Sequence, residues 1–269
     1  MRIIAQISDL HFGRHSVALA QDLLTSVSEV RPDLVVLSGD FTQRARSNEF
    51  SDARDFLDRI AQPKLVVPGN HDVPLYNLMA RFLTPLAKYD RFVSPAGLSG
   101  GLFLDDEVAV LGLNTARSLT RKNGRLSLAQ IAQIGQAFGD LGPEVAKVLV
   151  THHPLRVPTG MAALELAGRS DLALKAIMAA GVHLLLSGHH HRAMTGGFSE
   201  VGGEGSLLVF HAGTAISTRL RGGEGNSYNL IVLEQNRVGV NVMEWLPGRG
   251  FQKSRAMDFV LEAGRWRPA

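Results

Sequence analysis

In the first half of the chain, short apolar runs alternate with amphipathic stretches. Residues 3–7 (Ile-Ile-Ala-Gln-Ile), 34–37, 64–67, 148–150 and 183–186 are leucine-rich or β-branched and bounded by glycine, proline or polar clusters. Runs of this length and composition predict buried strands of an α/β sheet. Between them, residues 17–30 put Leu23, Leu24, Val27 and Val30 on one helical face, with Pro32 closing the pattern. Residues 48–60 do the same with Phe56, Leu57 and Ile60, and Ser127-Leu128-Ala129-Gln130 has capping-box form, opening a helix to about Phe138. Residues 102–113 read as a hairpin around Asp105-Asp106-Glu107. After His191 the character changes: 207–210, 228–233, 238–245 and 251–260 are strand-like and separated by glycine-rich turns. The order predicts an α/β architecture in which a second sheet packs on the first. No repeat, low-complexity segment or linker divides the chain, so residues 1–269 are expected to form one domain.

Polar clusters follow five of the apolar runs directly. They are Asp9-Leu10-His11, Gly39-Asp40, Gly69-Asn70-His71-Asp72, His152-His153 and Gly188-His189-His190-His191. Ligands of α/β sheets bind beyond the carboxyl ends of the strands, so every cluster falls where a site belongs. Carboxylate oxygen, amide oxygen and imidazole nitrogen together suit Zn, Fe or Mn better than Ca or Mg. The Asp9/His11 and His189/His191 spacings would put each pair on one side of an extended strand. Asp40 offers two oxygens to two ions, and Asn70 adds a neutral oxygen. Seven such groups exceed the needs of one ion and fit two, the arrangement used for in-line displacement at phosphorus.

Composition narrows the picture. Hydrophobic residues make up 45% and charged residues 20%, ordinary for a globular protein. No apolar run is long enough for a membrane span, and no signal peptide precedes the first strand, so a cytoplasmic location is expected. The absence of cysteine excludes disulfides and thiolate ligands. A net charge of +3 is compatible with an anionic substrate and too small for a dedicated nucleic-acid binder.

The ordered series Asp9-x-His11, Gly39-Asp40, Gly69-Asn70-His71-Asp72, His152 and Gly188-His189-x-His191 resembles the calcineurin-like metallophosphoesterase superfamily over residues 3 to about 192. The strings at 8–13, 39–43 and 151–155 are most similar to its bacterial class III cyclic-nucleotide phosphodiesterase branch. The resemblance implies a two-sheet β-sandwich flanked by helices, classed α/β or, in some schemes, α+β. It implies one metal at Asp9, His11 and His191, another at Asn70, His152 and His189, and Asp40 between them, with Fe, Mn or Zn as the ions. It further implies a hydroxide shared by the metals as nucleophile, His71 contacting a phosphoryl oxygen or protonating the leaving alkoxide, and Asp72 orienting or charging the His71 ring. The implied activity is phosphodiester hydrolysis, 3′,5′-cyclic nucleotides among the candidate substrates. Alternatives are another diester or a pyrophosphate, such as a lipid-linked nucleotide or a glycerophosphodiester, then a nuclease, then a non-catalytic scaffold. The retention of all seven ligands and His71 favours catalysis. A homo-oligomer is compatible with the sequence.

Other residues carry weaker signals. His153 and His190 adjoin ligands and are expected to support them, while His183 and His211 sit in apolar strand contexts and His15 is expected at the surface. Arg44 and Arg46 follow Asp40 closely. The loop with Arg117, Arg121, Lys122 and Arg125 could meet substrate or solvent equally, and Gly213-Thr214-Ala215 could line a pocket or form a turn. Residues 76–101 and 156–170 are the longest insertions between motifs and are expected to shape the substrate pocket.

Overall fold

The structure is a computed structural model and describes residues 1–160, 165–199, 206–220 and 223–269. The first apolar runs become β1 (Arg2–Ile7), α1 (Val17–Val30), β2 (Leu34–Leu37), α2 (Ser47–Asp58), β3 (Lys64–Val66), α3 (Leu78–Leu83), α4 (Ala87–Phe92) and β4 (Leu98–Ser99). The hairpin β5 (Leu102–Leu104) and β6 (Val108–Leu113) follows, then α5 (Leu128–Phe138), β7 (Ala146–Thr151), α6 (Ser170–Ala179), β8 (Leu184–Ser187), β9 (Met194–Ser199) and β10 (Ser206–His211). β11 (Ser227–Glu234), β12 (Arg237–Leu246), β13 (Gly250–Glu262) and β14 (Arg265–Pro268) complete the chain as an antiparallel meander.

Helix ends obey their sequence signals. Ser16 Oγ accepts the Leu19 amide at the start of α1, and Arg31, in the left-handed region, closes it. At α5 the capping box is reciprocal: Ser127 Oγ accepts the Gln130 amide at 3.1 Å and Gln130 Oε1 accepts the Ser127 amide at 3.0 Å.

Two sheets form, one of eight strands in the order β14-β13-β12-β11-β1-β2-β3-β4, the other of six in the order β5-β6-β7-β8-β10-β9. Of the strands after His191, only β9 and β10 belong to the second sheet. It begins at Leu102, and the C-terminal meander joins the first sheet instead, β11 pairing antiparallel with β1. Alternation within a strand marks its buried face but not which sheet it will join. Strand β9 and helix α6 also lie where no element is expected from the sequence pattern.

Apolar burial is layered. Between the sheets lie Ile4, Leu34, Val36, Val110, Val148, Leu186, Phe210 and Ile231. Alternate residues of the same strands face outward, where α1 and α2 cover the first sheet and α5 and α6 the second. This is a helix-flanked sandwich, and among the described residues no helix is long and apolar enough to cross a membrane.

At the carboxyl ends of β1 and β8 the apolar interface gives way to a polar seam. Gln6, fully buried, donates from Nε2 to the Ser187 carbonyl at 2.9 Å across the sheets, while Asn229 Nδ2 donates to Gln6 Oε1 at 2.9 Å and to the His211 carbonyl at 3.2 Å. Replacing Gln6 by Leu removes the bridge and leaves Asn229 short of an acceptor. A loss of about 1–3 kcal/mol is expected, seen as a lower guanidinium midpoint at unchanged slope; an unaltered midpoint would show the seam to be energetically idle.

Candidate metal centre

Every polar cluster lies just past a strand: Asp9 and His11 after β1, Asp40 after β2, Asn70 to Asp72 in a single 3₁₀ turn after β3, His152 after β7, and His189 and His191 after β8. The loops bind one another through the backbone. The Asp9 amide donates to the Gly39 carbonyl at 3.1 Å, His11 to Asp40 at 3.0 Å, and Gly188 to His152 at 3.0 Å.

Strand alternation does not align these residues, contrary to the expectation from the Asp9/His11 and His189/His191 spacing. Asp9, His11, Asp40, His189 and His191 all have left-handed backbones, with φ between 50° and 75°. Among the described residues nine non-glycine residues have a positive φ, and five are here. Each costs on the order of 1 kcal/mol. Two glycines make room for the crowding. Gly39 has φ +95°, and a Cβ there would meet His152 Nδ1 at 2.5 Å; at Gly188 it would meet Ser8 Oγ at 1.8 Å and Asp9 Oδ2 at 2.6 Å.

The side chains converge. His11 Nε2 and His191 Nε2 are 3.0 Å apart, and Asp9 Oδ1 lies 3.2 Å from His191 Nε2 and 3.7 Å from His11 Nε2. The two Asp40 oxygens face opposite ways, Oδ2 toward His11 Nε2 at 3.7 Å and Oδ1 toward His152 Nε2 at 3.4 Å. The ligand-type atoms of Asp9, His11 and His191 all lie within 4.8 Å of one another, and so do those of Asp9, Asp40 and His152. Asn70 and His189 open on the same cleft, of about 390 Å³, together with Asp40, His71, His190 and His191.

Hydrogen bonds on the far side of the rings aim the near side. His152 Nδ1 meets the Ser38 carbonyl at 2.7 Å and His191 Nδ1 the Arg219 carbonyl at 3.2 Å, which turns each Nε2 inward, the pattern that supports metal-binding imidazoles. Asp9 Oδ2 accepts from Ser8 Oγ at 2.6 Å and the His189 amide at 2.9 Å. Asp9 Oδ1, Asn70 Oδ1 and His152 Nε2 are buried with no hydrogen-bond partner. Such groups cost about 1–3 kcal/mol apiece unless something takes the lone pair, and a cation does so for all three. The residues therefore fit the metal ions that their chemistry suggests.

Charge is distributed accordingly. Burial alone would raise the Asp9 and Asp40 carboxyls, but the imidazoles of His191 beside Asp9 and of His152 beside Asp40 help hold both well below the usual range. Without an ion, burial opposes protonation of His152 yet Asp40 lifts it to about 9, and a cation at Nε2 would take the place of that proton. Burial and then His152 push His189 down to about 3.

His153 can be set aside as a ligand although its ring lies near His152 and His189. Its Nδ1 is bonded to Thr115 Oγ1 and its Nε2 to the Lys122 carbonyl, each at 2.7 Å, and burial holds it neutral. Asp72 departs from expectation. Its carboxylate accepts the Gly69, Phe41 and Thr42 amides and the Thr42 hydroxyl, so it pins the 3₁₀ turn to the Asp40 loop. Burial, then Asp40, pushes it up to about 6. The His71 ring is oriented instead by the Gln43 carbonyl, 2.8 Å from Nδ1, and the His71 amide donates to Asp40 Oδ1 at 2.8 Å. Gln43 and Arg219 escaped the sequence analysis because they contribute a carbonyl, which any residue could offer.

Of the basic candidates, Arg44, Arg121 and Lys122 line the clefts around His71 and Asn70. Arg117 is turned to Gln130. Thr214 is buried and donates to the Asp9 carbonyl at 2.6 Å, a brace for the loop. His183 and His211 are held by Lys147 N and the Arg156 carbonyl. The 156–170 insertion includes 161–164, outside the described residues.

Comparison with known proteins bears on the fold and the family. A zebrafish (Danio rerio) dimetal phosphatase superimposes with a TM-score of 0.65 at 13% identity, covering 97% of this chain and 99% of that one. The purple acid phosphatase PPD1 of yellow lupin (Lupinus luteus) gives 0.67 at 12% identity over 96% of this chain and 53% of its own. At such identity the likeness concerns the fold. In sequence, a probable cyclic nucleotide phosphodiesterase of Synechococcus is 27% identical over 72% of this chain and 75% of its own length. A glycerophosphodiester phosphodiesterase of Enterobacter lignolyticus is also 27% identical, over 61% of this chain and 60% of its own length. The family model of the calcineurin-like phosphoesterases matches residues 3–193, which takes in all five polar clusters; the chain belongs to that family.

Proposed function

We propose that the chain is a phosphodiesterase working at a dinuclear metal centre, with Asp9, His11 and His191 holding one ion, Asn70, His152 and His189 the other, and Asp40 shared. The observation that carries this reading is the trio of buried, unpartnered atoms, Asp9 Oδ1, Asn70 Oδ1 and His152 Nε2: Asn70 lines the cleft with His71 and Asp40, and Asp9 and His152 lie directly behind Asp40. The opposed oxygens of Asp40 support its sharing. An oxygen and nitrogen donor set without thiolate suits Fe, Mn or Zn. Bound ions of this kind supply Lewis acidity at phosphoryl oxygens and lower the pKa of water.

The protein's own groups do the rest. With Nδ1–H committed to the Gln43 carbonyl, His71 presents Nε2 to the cleft, where it can pass a proton to the departing alkoxide as the phosphorus–oxygen bond breaks and water oxygen bonds to phosphorus. Its amide meanwhile steadies Asp40. Lys122 and Arg44 supply positive charge on the rim for an anionic substrate. Residues 1–269 act as one unit in this reading, since β11 to β14 extend the sheet begun by β1, and a cytoplasmic location accompanies it. Cyclic nucleotides and glycerophosphodiesters, named for the relatives, are the first substrates to try. The deciding assay is a panel on metal-reconstituted protein: cyclic AMP, cyclic GMP, glycerophosphodiesters, and matched nitrophenyl mono- and diesters. Turnover of the monoester with none of any diester would reject the assignment.

Asp40→Ala is expected to lose metal from both positions by elemental analysis, because one carboxylate faces both ligand groups. Retention of one full equivalent would confine Asp40 to a single ion. His71→Ala should keep its metals and lose about 10²–10⁴ in rate on alkyl diesters, and clearly less on nitrophenyl esters, whose leaving group departs unaided. Equal losses on both would leave phosphate binding, not proton donation, as its role.

A further inference from the structure

Beside the metal cleft lies a second, larger cavity of about 680 Å³ lined by Arg14, Arg44, Arg46 and Arg219 with Gln43 and Glu49. The two spaces adjoin, sharing Gln43, Arg44 and Arg219 as wall residues. Four arginines and a single acidic residue line it, and that carboxylate is already engaged, Glu49 Oε2 accepting the Arg44 amide at 2.7 Å and the Arg46 amide at 3.3 Å. Among the described residues, none of the four arginines forms an ion pair with a carboxylate; Arg219 reaches only Gln43 Oε1, at 3.3 Å, and Arg44 the Tyr76 hydroxyl. Like charges gathered without counterions repel one another, and an anionic ligand relieves that repulsion.

The walls are built from the same loops that carry the candidate ligands. Arg14 follows His11 by three residues, its amide bonded to the His11 carbonyl, and its own carbonyl accepts the Thr218 amide. The Arg219 carbonyl holds His191 Nδ1, and the Gln43 carbonyl holds His71 Nδ1. A charge recognised in the cavity is therefore held in fixed relation to the bond that is cut. A ligand with a single phosphate has its one charge at the metals and leaves the arginines unmatched. Guanidinium forks bind phosphate oxygens in pairs, and a net excess of three positive charges matches a dianion better than a monoanion.

We infer that the preferred substrate is a phosphodiester carrying a second phosphoryl group, outside the bond that is hydrolysed, and that the cavity of Arg14, Arg44, Arg46 and Arg219 receives it. This rests on the cleft being a phosphodiesterase site. It also ranks a simple 3′,5′-cyclic nucleotide below a diester bearing an extra phosphate.

The test uses two chromogenic diesters, 4-nitrophenyl thymidine 5′-phosphate and the same compound phosphorylated at the 3′-hydroxyl. Wild-type protein reconstituted with metal should give kcat/KM at least about tenfold higher for the second, roughly the contribution of one charge-assisted contact. The double variant Arg14→Gln/Arg46→Gln changes only residues that line the second cavity and not the metal cleft. It should lose that preference while hydrolysing the first diester within about twofold of wild type. Calorimetric titration with thymidine 3′,5′-bisphosphate against thymidine 5′-phosphate gives a reading independent of turnover, with the bisphosphate about tenfold tighter on wild type and equal on the variant. Hydrolysis of the singly charged diester without preference in either measurement would overturn the inference and leave the diesterase reading intact. Tighter bisphosphate binding without hydrolysis of either diester would reject the diesterase reading, and the substrate inferred here with it, while showing that the arginine cavity does take a second phosphate. A preference that survives in the double variant would place the second phosphate elsewhere and also overturn it.

Discussion

The centre depends on the carboxyl ends of strands from two different sheets approaching more closely than side chains ordinarily allow. At Gly39 and Gly188 a methyl group would collide with His152, Ser8 or Asp9, so the candidate ligands after β1 and β2 can meet those after β7 and β8 only across bare backbone. The seam below them, in which Gln6 bonds the end of β8 and Asn229 bonds Gln6 and the end of β10, joins the sheets at the same level. An apolar contact there would bury area but fix no angle; hydrogen bonds between named atoms fix both. The ligand loops then bond directly to one another, Asp9 to Gly39 and Gly188 to His152, so displacement of one is felt by the next.

That arrangement carries an energetic cost concentrated in a few residues. Five left-handed backbones and four unpartnered buried polar atoms, His11 Nδ1 with Asp9 Oδ1, Asn70 Oδ1 and His152 Nε2, lie within one cluster, while the surrounding apolar layers are regular. Strain of this kind survives where the fold over-determines it, and here the apolar core between the sheets and the helices outside them supply that stability. Asp72 illustrates how it is done: a carboxylate beside the centre whose hydrogen bonds go to backbone amides, locking the turn that presents Asn70 and His71.

The rim is held by similar means. Arg81, almost fully buried on α3, donates to the carbonyls of Pro74, Ser118 and Thr120, tying the 76–101 insertion to the loop that carries Arg121 and Lys122. His153 holds the Lys122 carbonyl from below. A buried cation and a neutral imidazole thus fix the basic edge over the cleft. The arginines beside His11, Asp40 and His191 extend positive potential away from the anionic Asp9 and Asp40.

Much of this was legible in the sequence. The strand and helix periods at 3–7, 17–30 and 34–37 and the capping box at Ser127 are local, so they predict their elements closely, and the five polar clusters stand out because their side chains are chemically specific. Other features were not legible. The assignment of β11 to β14 to the first sheet follows from pairing with β1, which alternation cannot encode. The orienting contact to His71 expected of Asp72 is made by Gln43, because the deciding contacts run through amides and carbonyls common to every residue. The convergence of Asp9 with His11, expected from strand spacing, arises instead from left-handed turns. Sequence alone determines which atoms are available and near which strand ends they lie, since both depend on neighbours along the chain. Which of those atoms face one another, and which arginines from residues 14, 44, 46 and 219 share a cavity, only the tertiary structure decides, because those distances are set by sheet packing between segments far apart in sequence.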